Sequence, residues 1–347
     1  AHILIKQMVF IMFFCRIWRS IMDEMYDIIL NEGYGMKLKS AARTRTCLVC
    51  TTDKGIFDLK KNIYDENIVV FEGEIKKCLK RNGFDGVIPF EETVDGNLFY
   101  EYNDCRYTLE AHKNFIQPAD DGKWDYMKAA CVLAHMHNAS FMDSFVCERK
   151  NYGRLENIYE KRIIEFKRIR KRIKKDGVYD KADMLIKKYY DYYLNRAQTA
   201  LEMLKKSNYS LLSKYAEEKR CFCHNGFKGE NIKTEALSGK IYVDNFGKAS
   251  YDIYVSDLAY YIRRLIKRED TNAGNIKNAI EEYSSVRAVD GDEKTTAFAM
   301  VVFPQKFMNL CNEYYNKRKV FTFDASVQRI ERCTEAIKKE ESIINII

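Results

Sequence analysis

The sequence predicts an α+β protein in two lobes: a small lobe built on a five-stranded antiparallel sheet with one helix, and a larger, mainly helical lobe. Up to about Leu109, apolar residues recur with period two in short runs bounded by turn residues, the pattern of half-buried strands. From Trp124 onward they recur at intervals of three and four, the pattern of amphipathic helices. One stretch inside the helical part, His224–Asp257, breaks that period and concentrates His, Asn and Asp residues.

The expected small lobe covers residues 22–110. Arg45–Thr51 and Gly55–Lys61 alternate like paired strands, with Asp53-Lys54-Gly55 as the turn. A helix follows, with Asp65 placed to cap it and Ile68, Phe71, Ile75, Cys78 and Leu79 at helical spacing, ending at Asn82-Gly83. Val87–Phe90, Leu98–Tyr102 and Arg106–Leu109 supply three more strands.

The helical lobe is expected over 111–347. Its helices are Trp124–Asn138, one around Tyr159–Ile173, one around Ala182–Leu204, then Ser256–Lys267, Asn275–Tyr283, Thr295–Lys317 with a break near Pro304, and Ala325–Glu341. Arg220–His224 and Lys240–Asp244 are expected as short strands. Residues 1–21 are expected to be a non-native or disordered N-terminal extension. Ile3–Trp18 is apolar, but Lys6 and Arg16 interrupt it, it is too short to span a bilayer, and no small-residue cleavage site follows.

Composition excludes several function classes. Only Pro89, Pro118 and Pro304 occur as prolines in 347 residues, which disfavours Pro-rich linkers. The net charge of +8 is modest, and the most basic segment, Glu160–Lys175, has nine basic and two acidic residues on an amphipathic helix without an aromatic platform. That reads as a solvated face, not a nucleic-acid site. Eleven cysteines without framework spacing point to synthesis in a reducing compartment. Cys47 and Cys50 lie three apart in a strand-like run, on opposite faces, and so cannot share a metal. His135 and His137 diverge on their helix for the same kind of reason. The 24 tyrosines and 20 phenylalanines match codon usage in an AT-rich genome.

The chemistry-bearing stretch reads H-N-G-F-K-G-E-N at 224–231, I-Y-V-D at 241–244 and S-D-L-A at 256–259. It resembles the catalytic and metal loops of kinase-like phosphotransferases. Those carry His-x-Asp, an Asn five residues later and a second Asp a strand later. The first Asp orients the acceptor hydroxyl and takes its proton, and the Asn and second Asp hold magnesium. Here His224, Asn231 and Asp244 fill their slots, Lys228 matches the lysine of many protein kinases, and Gly226 stands where the catalytic Asp belongs. The same resemblance implies Lys60 and Glu74 as the nucleotide-binding lysine and its helix partner, Asn231 and Asp244 as magnesium ligands if ATP binds, and Asp257 as a structural residue. Asp58, two residues before Lys60 and on its face, would disfavour a nucleotide there, and Gly35–Cys47 lacks a glycine-rich phosphate cover.

A narrower resemblance covers the chain from about Tyr34 onward. It includes T-D-K-G-I-F-D-L-K-K at 52–61, C-L-K-R-N-G-F at 78–84, A-A-C-V-L-A-H-M-H-N-A-S at 129–140 and S-D-L-A-Y-Y-I-R-R-L at 256–265. F-P-Q-K-F at 303–307 and N-E-Y-Y-N-K-R-K at 312–319 complete it. These segments resemble CotS-like spore coat proteins, which have an aminoglycoside-phosphotransferase-like fold. Gly226, and Asn225 where that family usually has Gly, depart from its pattern. The resemblance implies synthesis in the mother cell, deposition in the spore coat, other coat proteins as partners and no small-molecule substrate. Tyr314, Tyr315 and Arg318 are the expected interface anchors. The alternatives are a small-molecule kinase of the aminoglycoside or choline kinase type, and a pseudokinase that binds nucleotide as a switch.

Overall fold

The computed structural model describes residues 24–116, 125–177, 179–316 and 323–344. Residues 1–21 therefore lie outside the described residues. In chain order the elements are α1 (residues 24–34), β1 (Leu38–Arg43), β2 (Leu48–Thr52), β3 (Ile56–Asn62), α2 (Glu66–Arg81), β4 (Tyr100–Tyr102) and β5 (Cys105–Ala111). There follow α3 (Tyr126–Ala139), α4 (Leu155–Asp176), α5 (Lys181–Lys206), α6 (Tyr209–Glu218), β6 (Phe222–Cys223), β7 (Ile232–Thr234), β8 (Ile241–Val243) and β9 (Ser250–Tyr251). The last are α7 (Val255–Ile266), α8 (Ala273–Val286), α9 (Gly291–Val302), α10 (Gln305–Asn316), α11 (Phe323–Glu335) and α12 (Ile337–Ile344).

The chain divides into two compact units, residues 1–117 with 233–247, and 118–232 with 248–347. The first holds a five-stranded antiparallel sheet of order β1-β2-β3-β5-β4. Alternation along the strands gives it two unlike faces. Leu48, Cys50, Leu59, Tyr107 and Leu109 pack against Ile29, Leu30 and Tyr34 of α1. The opposite face carries Lys60 and Glu110, and Lys76 of α2 reaches Glu110 there.

Two strand assignments change. β1 lies in the segment expected only as a poor phosphate cover, and Val87–Phe90 is not a strand; Phe90 makes a single bridge to Glu110. Phe90 is instead buried together with Leu98 against Val69 of α2. Asp65 stands at the N-cap of α2, but its side chain makes no capping bond. Gly73 explains how close this packing is: a Cβ there would come within 2.8 Å of Leu98 Cδ1.

The second unit is helical. α4 packs on α5 and α10, α5 on α9 and α11, α7 on α9, and α3 on α8. Asp180 and Asn272 close capping boxes at the starts of α5 and α8. The helix expected over Thr295–Lys317 is two, because Pro304 has no N–H and restricts Phe303 to extended geometry. The carbonyls left open at the end of α9 are taken by arginines: Arg196 donates to Val302 O at 3.2 Å, and Arg263 donates to Met300 O and to Phe303 O at 2.9 Å. Phe303 stacks on Tyr159 with ring centroids 3.6 Å apart, and Phe307 on Tyr193 at 3.7 Å. The basic face of α4 is solvated, with Ile163, Phe166, Ile169 and Ile173 turned inward. His137 is buried and His135 exposed, as their spacing requires. The ten described cysteines are all free thiols. Among the described residues no helix is long and apolar enough to cross a membrane.

Phe307 is 2% exposed and stacked, so Phe307→Ala removes a large core side chain and leaves a cavity. The expected cost is about 3–5 kcal/mol. Urea unfolding measures it, and a loss below about 1 kcal/mol would mean the ring is not part of the core.

Candidate functional site

In the first unit, six charged groups converge on the face of the sheet that meets α2. In the β3–β5 register Lys60 sits opposite Thr108 and Asp58 opposite Glu110, so Lys60 and Glu110 are diagonal neighbours on one face. Lys60 donates to Glu110 at 2.7 Å and lies 3.3 Å from Asp244. Lys61 is exposed, so Lys60 is the inward residue of the pair. From α2, Lys76 is 1% exposed, donates to Glu110 at 2.6 Å and lies 3.4 Å from Glu72 and 3.6 Å from Asp244. Lys233 also pairs with Asp244. Glu72 accepts the Phe246 N–H at 3.2 Å, which fixes the chain just past Asp244.

The electrostatics follow from this mutual neutralisation. Burial alone would lower the Lys60 and Lys76 pKa values, but Glu110 and the neighbouring carboxylates outweigh it and raise both. Burial alone would raise Asp244, but Lys60, Lys76 and Lys233 hold its carboxyl well below the usual carboxylate range. Asp58 is occupied as well, since His112 Nδ1 stands 2.6 Å from its Oδ1.

Glu74 does not meet Lys60. It lies two positions from Glu72, about 200° around the helix, and pairs with Lys77 at 3.7 Å on a face that leaves its side chain 39% exposed. The counter-charges of Lys60 are Glu110 and Asp244 instead. Lys76, Glu72 and Glu110 were missed from the sequence. The available signals were the Glu72–Lys76 i,i+4 pair on the side of α2 that carries Val69, and Glu110 as the single acid of β5.

The second unit holds the loop after β6. Asp257, fully buried in α7, accepts the backbone N–H groups of His224 at 2.5 Å and Asn225 at 2.7 Å. His137 Nε2 stands 3.4 Å from the same carboxylate, and His137 Nδ1 stands 2.7 Å from the Tyr283 hydroxyl. Burial pushes the Asp257 pKa up, but the His137 hydrogen bond and the charges beside it outweigh burial and keep it low; burial also lowers His137. Nearby, burial raises the Asp252 carboxyl to about 7.

Asn225 adopts φ 55°, the left-handed conformation that Asn tolerates better than most residues, and its amide donates to Ser250 Oγ at 2.7 Å. A Cβ on Gly226 would meet His224 Nδ1 at 3.2 Å and Asn231 Nδ2 at 3.5 Å, and Asn231 donates to the Gly226 carbonyl at 2.8 Å. Glu230 is exposed and paired with Lys228, so it does not replace the missing carboxylate.

A kinase-like fold implies a divalent metal held by carboxylate and amide oxygens with charge to spare. A metal on Asp244 would compete with the ammonium groups that already surround it. Asp244 is surrounded by three ammonium groups, and the described residues include no cluster of three or more His, Cys, Asp or Glu able to hold a metal.

Of the expected interface anchors, Tyr315 is 4% exposed and its hydroxyl bonds Asp183. Tyr314 is half-buried and donates to Asp180 at 2.5 Å. Both therefore tie α10 to the start of α5. Arg318 lies outside the described residues.

Lys76→Met leaves Glu72, Glu110 and Asp244 short of a cation in a buried site. The expected cost is about 3–5 kcal/mol, read from urea unfolding at neutral pH. The folded pKa of Lys76 is raised above its ordinary 10.5, so its contribution is complete below pH 10.5 and is lost as pH rises through the folded value. The folded pKa of Asp244 is depressed below 3.8, so its contribution is complete above that and is lost as pH falls. The gap between wild type and variant is thus expected to stay constant from pH 5 to about 10. A variant as stable as wild type would remove Lys76 as the central counter-charge.

The sequence profile of the family described as spore coat putative kinase YutH matches residues 27–347. No curated protein matches the chain. Among solved structures, an aminoglycoside phosphotransferase from Alicyclobacillus acidocaldarius superposes with a TM-score of 0.75 at 15% identity, over 89% of this chain and 91% of that one. The AMP-bound spectinomycin phosphotransferase APH(9)-Ia gives 0.55 at 14% identity, over 92% and 98%. The amicoumacin kinase hAmiN, in complex with AMP-PNP and Ca2+, gives 0.53 at 12% identity, over 92% and 93%. Identities this low establish the fold and nothing finer: it is that of the aminoglycoside-phosphotransferase-like kinases. The profile match spans nearly the whole chain, and the protein belongs to the spore coat putative kinase YutH family.

Proposed function

We propose that the protein is a structural component of the spore coat, made in the mother cell, which uses a kinase-like scaffold for assembly with other coat proteins and performs little or no phosphotransfer. The observation that carries this reading is Gly226. At the position where the fold calls for a proton acceptor there is no side chain, and the atoms nearest to where a Cβ would stand belong to His224 and Asn231. General-base catalysis contributes roughly 10²–10⁴-fold in rate, and glycine supplies none of it. The lysines around Asp244 support the same reading, because they stand where a metal would need negative charge. Some solved relatives of the fold are described in complex with AMP, or with AMP-PNP and Ca2+. In this chain, binding of ATP with Mg2+ would require Lys60 and Lys76 to exchange carboxylate partners for phosphate.

Two measurements test the proposal. Purified protein with ATP, Mg2+ and a panel of hydroxyl acceptors is expected to show background turnover, and its melting temperature is expected not to rise with ATP and Mg2+. Phosphotransfer at an ordinary kinase rate, on the order of 1–100 s⁻¹, would overturn it. The backbone at Gly226 does not need positive φ, but a Cβ there meets the buried His224 ring at 3.2 Å, so Gly226→Asp requires a small shift of that ring and, once its melting shows it folded, serves as the gain-of-function control. In sporulating cells, a fluorescently tagged chain is expected to gather at the forespore periphery and persist on the released spore. A signal that stays diffuse in the mother cell rules out the coat role.

A further inference from the structure

The sequence segment F-P-Q-K-F at 303–307 belongs neither to the charge cluster nor to the His224 loop, yet it forms one wall of a cavity in the second unit. The cavity holds about 140 Å³, roughly ten times the ~10–15 Å³ that one water needs. Its charge is one-sided. Arg196, Arg263, Lys267, Lys306 and Arg332 line it against a single acid, Glu340, and Glu340 is already paired with Arg196 at 3.0 Å. In a chain with 58 basic and 50 acidic residues, a wall of five to one is a local construction, not an average.

Arg196 and Arg263 have a structural task, since they satisfy the carbonyls at the end of α9. The other three do not share it. Among the described residues Lys267, Lys306 and Arg332 form no ion pair. The first turn of α10, Gln305–Phe307, opens on the same space and adds the positive end of a 12-residue helix. Burial and the charges of Lys306 and Arg263 hold the Lys267 ammonium below the usual lysine range, a crowding that a bound anion would relieve. The remaining wall is apolar, with Ile266, Val301, Ala336 and Ile344. The site is separate from the His224 loop: Asp257 near the start of α7 holds that loop, and Ile266 at its other end lines the cavity, about 14 Å along the helix.

We propose that this cavity binds a small organic anion, its phosphate or carboxylate head held by Lys267, Lys306 and Arg332 and its apolar part against the Ile266 and Ile344 wall. It does not depend on whether the kinase-like loop is active. The test uses thermal melting of the full chain in sodium phosphate, in sodium benzoate and in sodium chloride at matched ionic strength. The expected result is a saturable rise in melting temperature with phosphate or benzoate beyond chloride; a response to phosphate alone assigns a phosphate head, and to benzoate alone a carboxylate. The rise is expected to vanish in Lys267→Ala/Lys306→Ala and to persist in Lys171→Ala/Lys174→Ala, which removes the same charge from the solvated face of α4. Arg332→Ala, at an exposed residue, repeats the test if the first double variant does not fold. No saturable response to either anion, or a response undiminished in the cavity variants, overturns the proposal.

Discussion

The first unit depends on one constraint: three ammonium groups and three carboxylates share a partly dehydrated space, and each is tolerable only because of the others. Removing an ion from water costs several kcal/mol in a real protein, and only close, well-bonded opposite charges recover it. Lys60 from β3, Glu110 from β5, Glu72 and Lys76 from α2, and Lys233 and Asp244 from residues 233–247 therefore have to arrive together. This is how a segment more than 120 residues beyond β5 in sequence becomes part of the same unit. Such a cluster specifies position more than it adds stability, since apolar residues of similar volume would often serve as well.

The second unit uses a smaller version of the same logic. Asp257 gathers the His224 and Asn225 amides, and His137 and Tyr283 continue the chain of hydrogen bonds. The loop is thus held in shape by contacts that need no side chain at 226, where only the carbonyl is used, accepting from Asn231. That explains how a glycine can stand there while the fold around it persists. It also places the loop's architecture and its chemistry under separate control.

Aromatic residues do most of their work inside. Tyr159 with Phe303, and Tyr193 with Phe307, are face-stacked pairs that join α4 and α5 to the break between α9 and α10. Tyr314 and Tyr315 clamp α10 to the capped start of α5 through Asp180 and Asp183. The segments 303–307 and 312–316 thus help to build the fold, and what the first leaves open is a basic cavity.

The amino-acid sequence alone determined the fold class, because period-two and helical patterns report which faces must be buried whatever the partner. The resemblance pointed to Lys60, but two adjacent lysines leave the side open, and only the packed sheet shows Lys60 turned inward and Lys61 exposed. The sequence identified Gly226 as the departure, because a missing side chain is visible without coordinates. It did not reveal β1, whose outward residues carry no apolar period, or the loop character of Val87–Phe90, where Phe90 packs on a helix. Nor could it choose the partner of Lys60. Glu74 and Glu72 are equally good carboxylates on one helix, and only the rotation of α2 against the sheet decides which is buried. Glu110 and Asp244 lie 50 and 184 residues from Lys60, and charges so far apart in sequence are brought within 3.3 Å only by the packing of the sheet, the helix and the segment around Asp244.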